Sequence, residues 1–290
     1  MFFLILSILS YVIKDTANHI FGMRMKVGVE EAVLQNSVAF TIAGIVCLPF
    51  CGEYSINLHI MKLALLFGLC YTATNIAVVL TFCHGPAGPS GMIGAFSSVG
   101  GLIFGVIFCN ESLTLVKTLG IVVMFITVFL LKPGTKEEKK VLTLTWFMYA
   151  IAGALFNMCY TSVKKGIVYF NPDLNIKLIT TLGLFSAAAI CWIIVAARGF
   201  KAIKKIRDEK KMKTFCTYSV IPGIAVGGAT MFQMLALTVL PTYIVYPFTT
   251  SGIPFVECFI SLWMFKEIKF TKKISAALVL CVAGAFMITM

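Results

Sequence analysis

The sequence predicts an all-α integral membrane protein, with ten transmembrane helices arranged as two inverted five-helix repeats. Three observations carry this. The 290 residues are 59% hydrophobic and 12% charged, against roughly 25% charged in soluble globular chains. Ten apolar segments can be counted, each near the ~20 residues a bilayer-crossing helix needs. They divide into two sets of five around the polar stretch KPGTKEEKKVLT at 132–143. An odd number per set makes the second set enter the membrane the other way up. The units are residues 1–132, a connector at 133–143, and residues 144–290.

The segments run 2–22, 32–51, 60–80, 88–108, 114–132, 144–163, 176–197, 215–235, 242–265 and 273–289. No basic residue precedes the first and no small-residue cleavage site closes it, so it reads as a retained helix rather than a signal peptide. It carries Lys14, Asp15, Asn18 and His19 where apolar residues belong. Ser7, Tyr11, Lys14 and Asn18 share one helical stripe, and Asp15 and His19 share the next. A charge at a helix centre costs ~3 kcal/mol on insertion scales, so both stripes are expected to face protein or water. The alternative is that the apolar run stops near Ile13 and Lys14 snorkels to the interface. Segment three offers a shorter polar stripe, Tyr71 and Asn75.

Segments four and nine are the pair around which the rest is organised. Residues 85–111 read GPAGPSGMIGAFSSVGGLIFGVIFCNE, and residues 241–267 read PTYIVYPFTTSGIPFVECFISLWMFKE. At a constant offset of 156 positions, Glu111 falls under Glu267 and Lys117 under Lys273. Both are interrupted by Gly and Pro, among them Pro89, Gly91, Gly94, Pro247, Gly252 and Pro254. Such interrupted segments in matching places of two halves point to a transporter's binding site. Segment four presents Ser90, Gly94, Ser98, Gly101 and Gly105 on one face. The Gly101/Gly105 spacing, repeated at Gly223/Gly227 in segment eight, is a close-packing signal. Segment nine presents Tyr243, Tyr246, Thr250, Pro254, Glu257 and Ser261. Glu257 is an acid inside an apolar run, which by default marks a functional site.

Segment six carries the stripe Asn157, Tyr160, Thr161 and Lys164, and segment eight the isolated amide Gln233. The remaining segments are read as plain spans. The expected cavity is lined by Tyr11, Lys14, Asn18, Tyr71, Asn75, Ser98, Asn157, Tyr160, Gln233, Tyr243, Tyr246, Thr250 and Glu257. It lies between segments 1, 3, 4 and 6, 8, 9.

Charge sets topology. Eighteen Lys and Arg fall in loops on one side and five on the other. The positive-inside rule then places the loop at 198–214 in the cytoplasm and both termini outside. The same distribution accounts for the net charge of +12 without a nucleic-acid partner. No GxxxxGK[ST] loop occurs, so ATP-driven transport within this chain is excluded. The ten cysteines form no CxxC pair, and no His stands at metal-ligand spacing, so no metal and no cofactor are expected. Of the three His, only His19 lies beside an acid, and no catalytic residue is assigned.

The ends of segments four and nine, GLIFGVIFCNESLTLVKTLGIV and FISLWMFKEIKFTKKISAALVLCVAG, are where the chain resembles the drug/metabolite transporter superfamily, in its EamA-like branch. The pattern is an apolar helix, a Glu in a tight loop, then a Gly-containing helix. Glu111 with Gly120 follows it; after Glu267, Ala276 stands where the Gly would be. Family members are described with both termini in the cytoplasm, opposite to the charge count here. Small multidrug exporters of the superfamily carry an acid that aligns with Tyr11, so the resemblance does not extend to their proton-coupling residue.

The expectation is a secondary transporter in the plasma membrane. It moves a small polar metabolite, with amino acids among the candidates, by alternating access, with protons a candidate coupling ion. The alternatives weighed are a sugar uptake transporter, a membrane-embedded enzyme and a channel. The partners expected are the substrate and the bilayer, with the chain a monomer or a homodimer.

Overall fold

The structure, a computed structural model, describes residues 1–52, 54–108, 112, 114–131, 143–171, 173–239, 242–266 and 271–290. The side chains of residues 98, 101–102, 128–129, 131, 234, 237–239, 242–247, 250–251 and 288–289 lie outside that description. So do Glu111, Glu267 and the whole connector at 133–142.

The described chain is all-α, without strands. In order come α1 (Phe2–Arg24), α2 (Val29–Cys47), α3 (Leu58–His84), α4 (Ala87–Ala95), α5 (Ser98–Phe108), α6 (Leu115–Leu131), α7 (Leu144–Phe170), α8 (Ile176–Ala197), α9 (Lys201–Asp208), α10 (Met212–Val239), α11 (Thr242–Trp263) and α12 (Lys272–Thr289). Among the described residues, four helical stretches are long and apolar enough to cross a membrane: Val29–Phe50, Leu58–His84, Ile176–Ala197 and Met212–Gln233. Caps set several starts. Asn57 accepts from the Ile60 N–H at 2.8 Å, and Thr143 from the Trp146 N–H at 3.1 Å. Asn175 accepts from the Leu178 N–H at 3.2 Å. Each satisfies a donor that the first turn leaves unpaired.

One alternative falls, and two features differ from the sequence-based expectation. α1 does not stop near Ile13: it runs to Arg24, and Lys14, Asp15, Asn18 and His19 are all buried. Segment six extends to Phe170, which puts Lys164 inside the helix rather than in a loop. Segment nine is one helix through Pro254. A proline removes a single donor, and close packing holds the rest. Segment four does break, at Phe96–Ser97. There Phe96, Ser97, Val99 and Gly100 donate to carbonyls three residues back instead of four, a tighter turn than the α-helix.

The helices approach closely where glycines face backbone. A Cβ at Gly223 would lie 2.9 Å from the Ala39 carbonyl oxygen, and one at Gly227 3.1 Å from that of Ala43. This Gly-x-x-x-Gly is therefore the seam between α10 and α2. α4 meets α11 the same way: a Cβ at Gly88 would lie 3.0 Å from Cys258 Cα. The amphipathic α9 buries Ala202 and Ile206. It is tied to α2 by Lys205 Nζ, 2.7 Å from Glu31 Oε1, which holds the Lys205 ammonium above its ordinary pKa. Most of the basic run at 198–214 is left exposed.

Candidate functional site

A half-open cavity of about 680 Å³ lies among α1, α3, α4, α7, α10 and α11, with Lys117 of α6 and Met290 also in its lining. Eight of the residues singled out in the sequence line it: Tyr11, Lys14, Tyr71, Asn75, Asn157, Tyr160, Gln233 and Glu257. Asn18 does not. It shares the Tyr11 face of α1 but lies beyond the cavity, where its side-chain oxygen accepts from Gln35 Nε2 at 2.9 Å. The side chains of Ser98, Tyr243, Tyr246 and Thr250 fall outside the described set. On α11 the lining comes from Thr249, Ile253, Pro254 and Glu257.

The cavity also takes residues the sequence reading left out of the site. Asp15 stands one turn beyond Tyr11 and brings an acid to the wall. A step of four on a helix turns about 40°, so Tyr11 and Asp15 fall on one face as readily as Tyr11 and Lys14 do. Lys164, Lys165, Thr74, Ser90 and Ser97 line it as well.

Its charged centre is a cluster of Lys14, Asp15 and Glu257. Lys14 Nζ lies 3.0 Å from Asp15 Oδ1, and 5.5 Å from the Tyr11 ring centroid. Glu257 is 1% exposed, and neither carboxyl oxygen accepts a hydrogen bond from a described donor. Glu257 interacts electrostatically with both Asp15 and Lys14. Two carboxylates beside one ammonium would leave a net negative charge among buried groups, and buried charges are tolerated poorly unless paired. Glu257 reaches this position beneath Gly91 of α4: the space a Gly91 side chain would fill holds Glu257 Oε2.

Aromatic and amide groups form the wall leading away from the cluster. The Tyr71 and Tyr160 rings are 4.9 Å apart, and Phe67 packs 5.2 Å from Tyr160. Tyr11 and Tyr71 converge on the Thr230 hydroxyl. One α10 turn further, the Gln233 side-chain oxygen accepts from Lys164 Nζ at 2.8 Å. Across the cavity, Asn157 Nδ2 donates to Ser97 Oγ at 3.0 Å, and the Thr161 hydroxyl to the Ser97 carbonyl at 3.2 Å. The break in segment four is thus satisfied by α7.

The two ends differ. Val168, Tyr169 and Met290 are exposed at one end. At the other, Thr81, Phe82, Ser90 and Gly91 are buried. Below them Trp146, fully buried, donates from its indole N–H to Ser90 Oγ at 2.8 Å. Its ring fills the space beside Gly85. His19 and the Phe82 carbonyl, 2.8 Å apart, close the same end, with the Phe265 ring 4.7 Å from the imidazole.

No protein-family model matches the chain, and no curated protein sequence does. A solved crystal structure superposes on it with TM-score 0.56 at 14% sequence identity, over 96% of this chain and 96% of its own length. At that identity the likeness bears on the fold alone. No cluster of metal-ligating side chains occurs among the described residues.

Proposed function

We propose that the protein is a secondary active transporter of the drug/metabolite superfamily, EamA-like branch. It moves a small polar metabolite across the plasma membrane by alternating access, coupled to protons at Asp15 and Glu257. The observation that carries the reading is the cavity: polar, charged, open at one end and shut at the other by Trp146 on Ser90.

The proposed architecture is ten spans in two inverted repeats, counting α4 with α5 as one span and α9 as a surface helix. The helix neighbours support it. Exchanging the two halves turns the α1–α10 contact into α7–α3, and α2–α10 into α8–α3. It turns α1–α11 into α7–α4, and α11–α12 into α4–α6. The pairs α2–α8, α4–α11 and α6–α12 map onto themselves. A pseudo-two-fold relation produces this pattern, and five spans per half put its axis in the membrane plane. The cavity draws on both halves around that axis.

The test is flux. In proteoliposomes, a metabolite panel screened for uptake and efflux, with and without a pH gradient, is expected to give saturable counterflow of at least one polar solute. Absence of protein-dependent flux for every solute class, from protein that is folded and correctly inserted, would remove the transport reading.

Orientation has its own check. A single cysteine in the loop at 198–214, on a cysteine-free background, is expected to be shielded from an impermeant thiol reagent outside intact cells. Strong external labelling would reverse the orientation and place both termini in the cytoplasm.

A further inference from the structure

Lys164 is the charged group that the proton-coupling cluster leaves unused. It lies in the cavity wall and is 6% exposed. Its hydrogen bond goes to the Gln233 amide oxygen, which takes one of three ammonium protons and supplies no countercharge. Lys164 forms no ion pair among the described residues. A buried cation with no countercharge costs several kcal/mol, and in a membrane-spanning helix it marks a substrate or ion pathway. Lysines stand beside acids in the lining: Lys14, Lys117 and Lys164 with Asp15 and Glu257. Lys14 is already matched by Asp15. Asn157, Tyr160 and Lys164 recur at steps of three and four on α7, so polar groups stand on the same helix face as the ammonium.

We infer that the cargo carries an anionic group, a carboxylate or a phosphate, and that Lys164, held in place by Gln233, binds it. This deepens the transporter reading and rests on it. The cavity gives the anion a fixed cation that no described acid of the protein pairs with. Gln233 holds the ammonium without neutralising it, which a glutamate there would do. Binding at Lys164 and proton exchange at Asp15 and Glu257 are then separate tasks in one cavity.

The experiment measures the melting temperature of the purified full chain in detergent. It is titrated with sodium phosphate and with sodium succinate at constant ionic strength, with glycerol and choline chloride as neutral and cationic comparators. A ligand of the folded state raises the melting temperature with saturation. At least one anion is expected to stabilise the wild type and Lys164→Arg. Lys164→Gln is expected to weaken that anion roughly ten- to hundredfold, the range for a lost charged hydrogen bond. Where Lys164→Gln does not yield monodisperse protein, Gln233→Glu gives the reading: it keeps the size, neutralises the ammonium in place and is expected to abolish the anion effect. Stabilisation by phosphate alone assigns a phosphorylated cargo, and by succinate alone a carboxylate. Undiminished anion stabilisation of both neutralising variants overturns the inference. So does stabilisation by choline or glycerol with neither anion effective, and so does no stabilisation by any of the four. Anion binding without flux in liposomes would keep this inference and remove the transporter reading. Flux of a neutral or cationic solute without anion binding would do the reverse.

Discussion

A methyl group at Gly91 is expected to disable the acidic cluster while leaving the fold standing. The position a Gly91 Cβ would occupy already holds Glu257 Oε2, with Pro254 Cα 3.3 Å away. The backbone of α11 has little room to retreat, because a Cβ at Gly88 would meet Cys258 Cα at 3.0 Å one helical turn before. The flexible end of Glu257 therefore moves, and it leaves the place where it faces Asp15. Overpacking of this kind costs ~1–3 kcal/mol, partly offset by the ~1 kcal/mol that alanine gains over glycine in a helix. Gly91→Ala should thus melt within several degrees of the wild type. Its pH-driven accumulation should fall about tenfold or more, the effect of ~1.4 kcal/mol at the coupling site. Gly94→Ala is the matched control: Gly94 lines the same cavity, and a Cβ there meets nothing within 4 Å. The double variant Gly91→Ala/Glu257→Gln should be no worse than Glu257→Gln alone, since both act on one carboxyl. Wild-type accumulation by Gly91→Ala would show that the position of Glu257 does not matter.

This contact also marks where sequence reasoning stops. Hydropathy located the helices: every apolar segment counted above overlaps a helix of the structure, because burial in lipid or in protein demands the same apolar run. Gly and Pro marked segment four as interrupted without placing the break, and marked segment nine in the same way although its helix runs on. Glu257 was readable as a single acid in an apolar stretch. What was not readable is that Gly91, 166 positions earlier, is the residue that makes room for it. A glycine records the absence of a side chain and says nothing about which neighbour fills the gap.

Phase was the second limit. Several polar residues on α1 are compatible with one face, and only the placement of α2 and α10 shows that Asn18 is spent on Gln35 while Asp15 reaches the cavity. Lys164 was visible as part of a stripe but was counted with the loops, because the apolar run ends before the helix does. α7 continues past residue 163, with Gly166 against Phe104 of α5 and Ile167 buried in the core.

Glutamine at position 257 is expected to abolish accumulation driven by a pH gradient and to preserve exchange. The residue is isosteric with a protonated glutamate, so it fits beneath Gly91 and can hydrogen-bond Asp15, but it cannot release a proton. With one proton moved per cargo, a gradient of one pH unit corresponds to ~1.4 kcal/mol and supports about tenfold accumulation. In the Gln variant that ratio should fall to about one, while counterflow at equal pH continues. The sign of the pH response follows from the cluster. On the proposed coupling the wild type releases a proton on the side of higher pH, so raising internal pH is expected to speed net uptake. The variant, holding no proton to lose, should be indifferent to internal pH across the range in which wild-type uptake responds. Melting separates this role from a structural one. A carboxyl that only stabilises the α1–α11 interface would give a less stable variant with coupling intact. Loss of binding with normal stability would instead make Glu257 a direct ligand of the cargo. Unchanged gradient-driven accumulation by Glu257→Gln would remove it from the mechanism and leave Asp15, paired with Lys14 at 3.0 Å, as the remaining carboxyl in the cavity able to carry the proton.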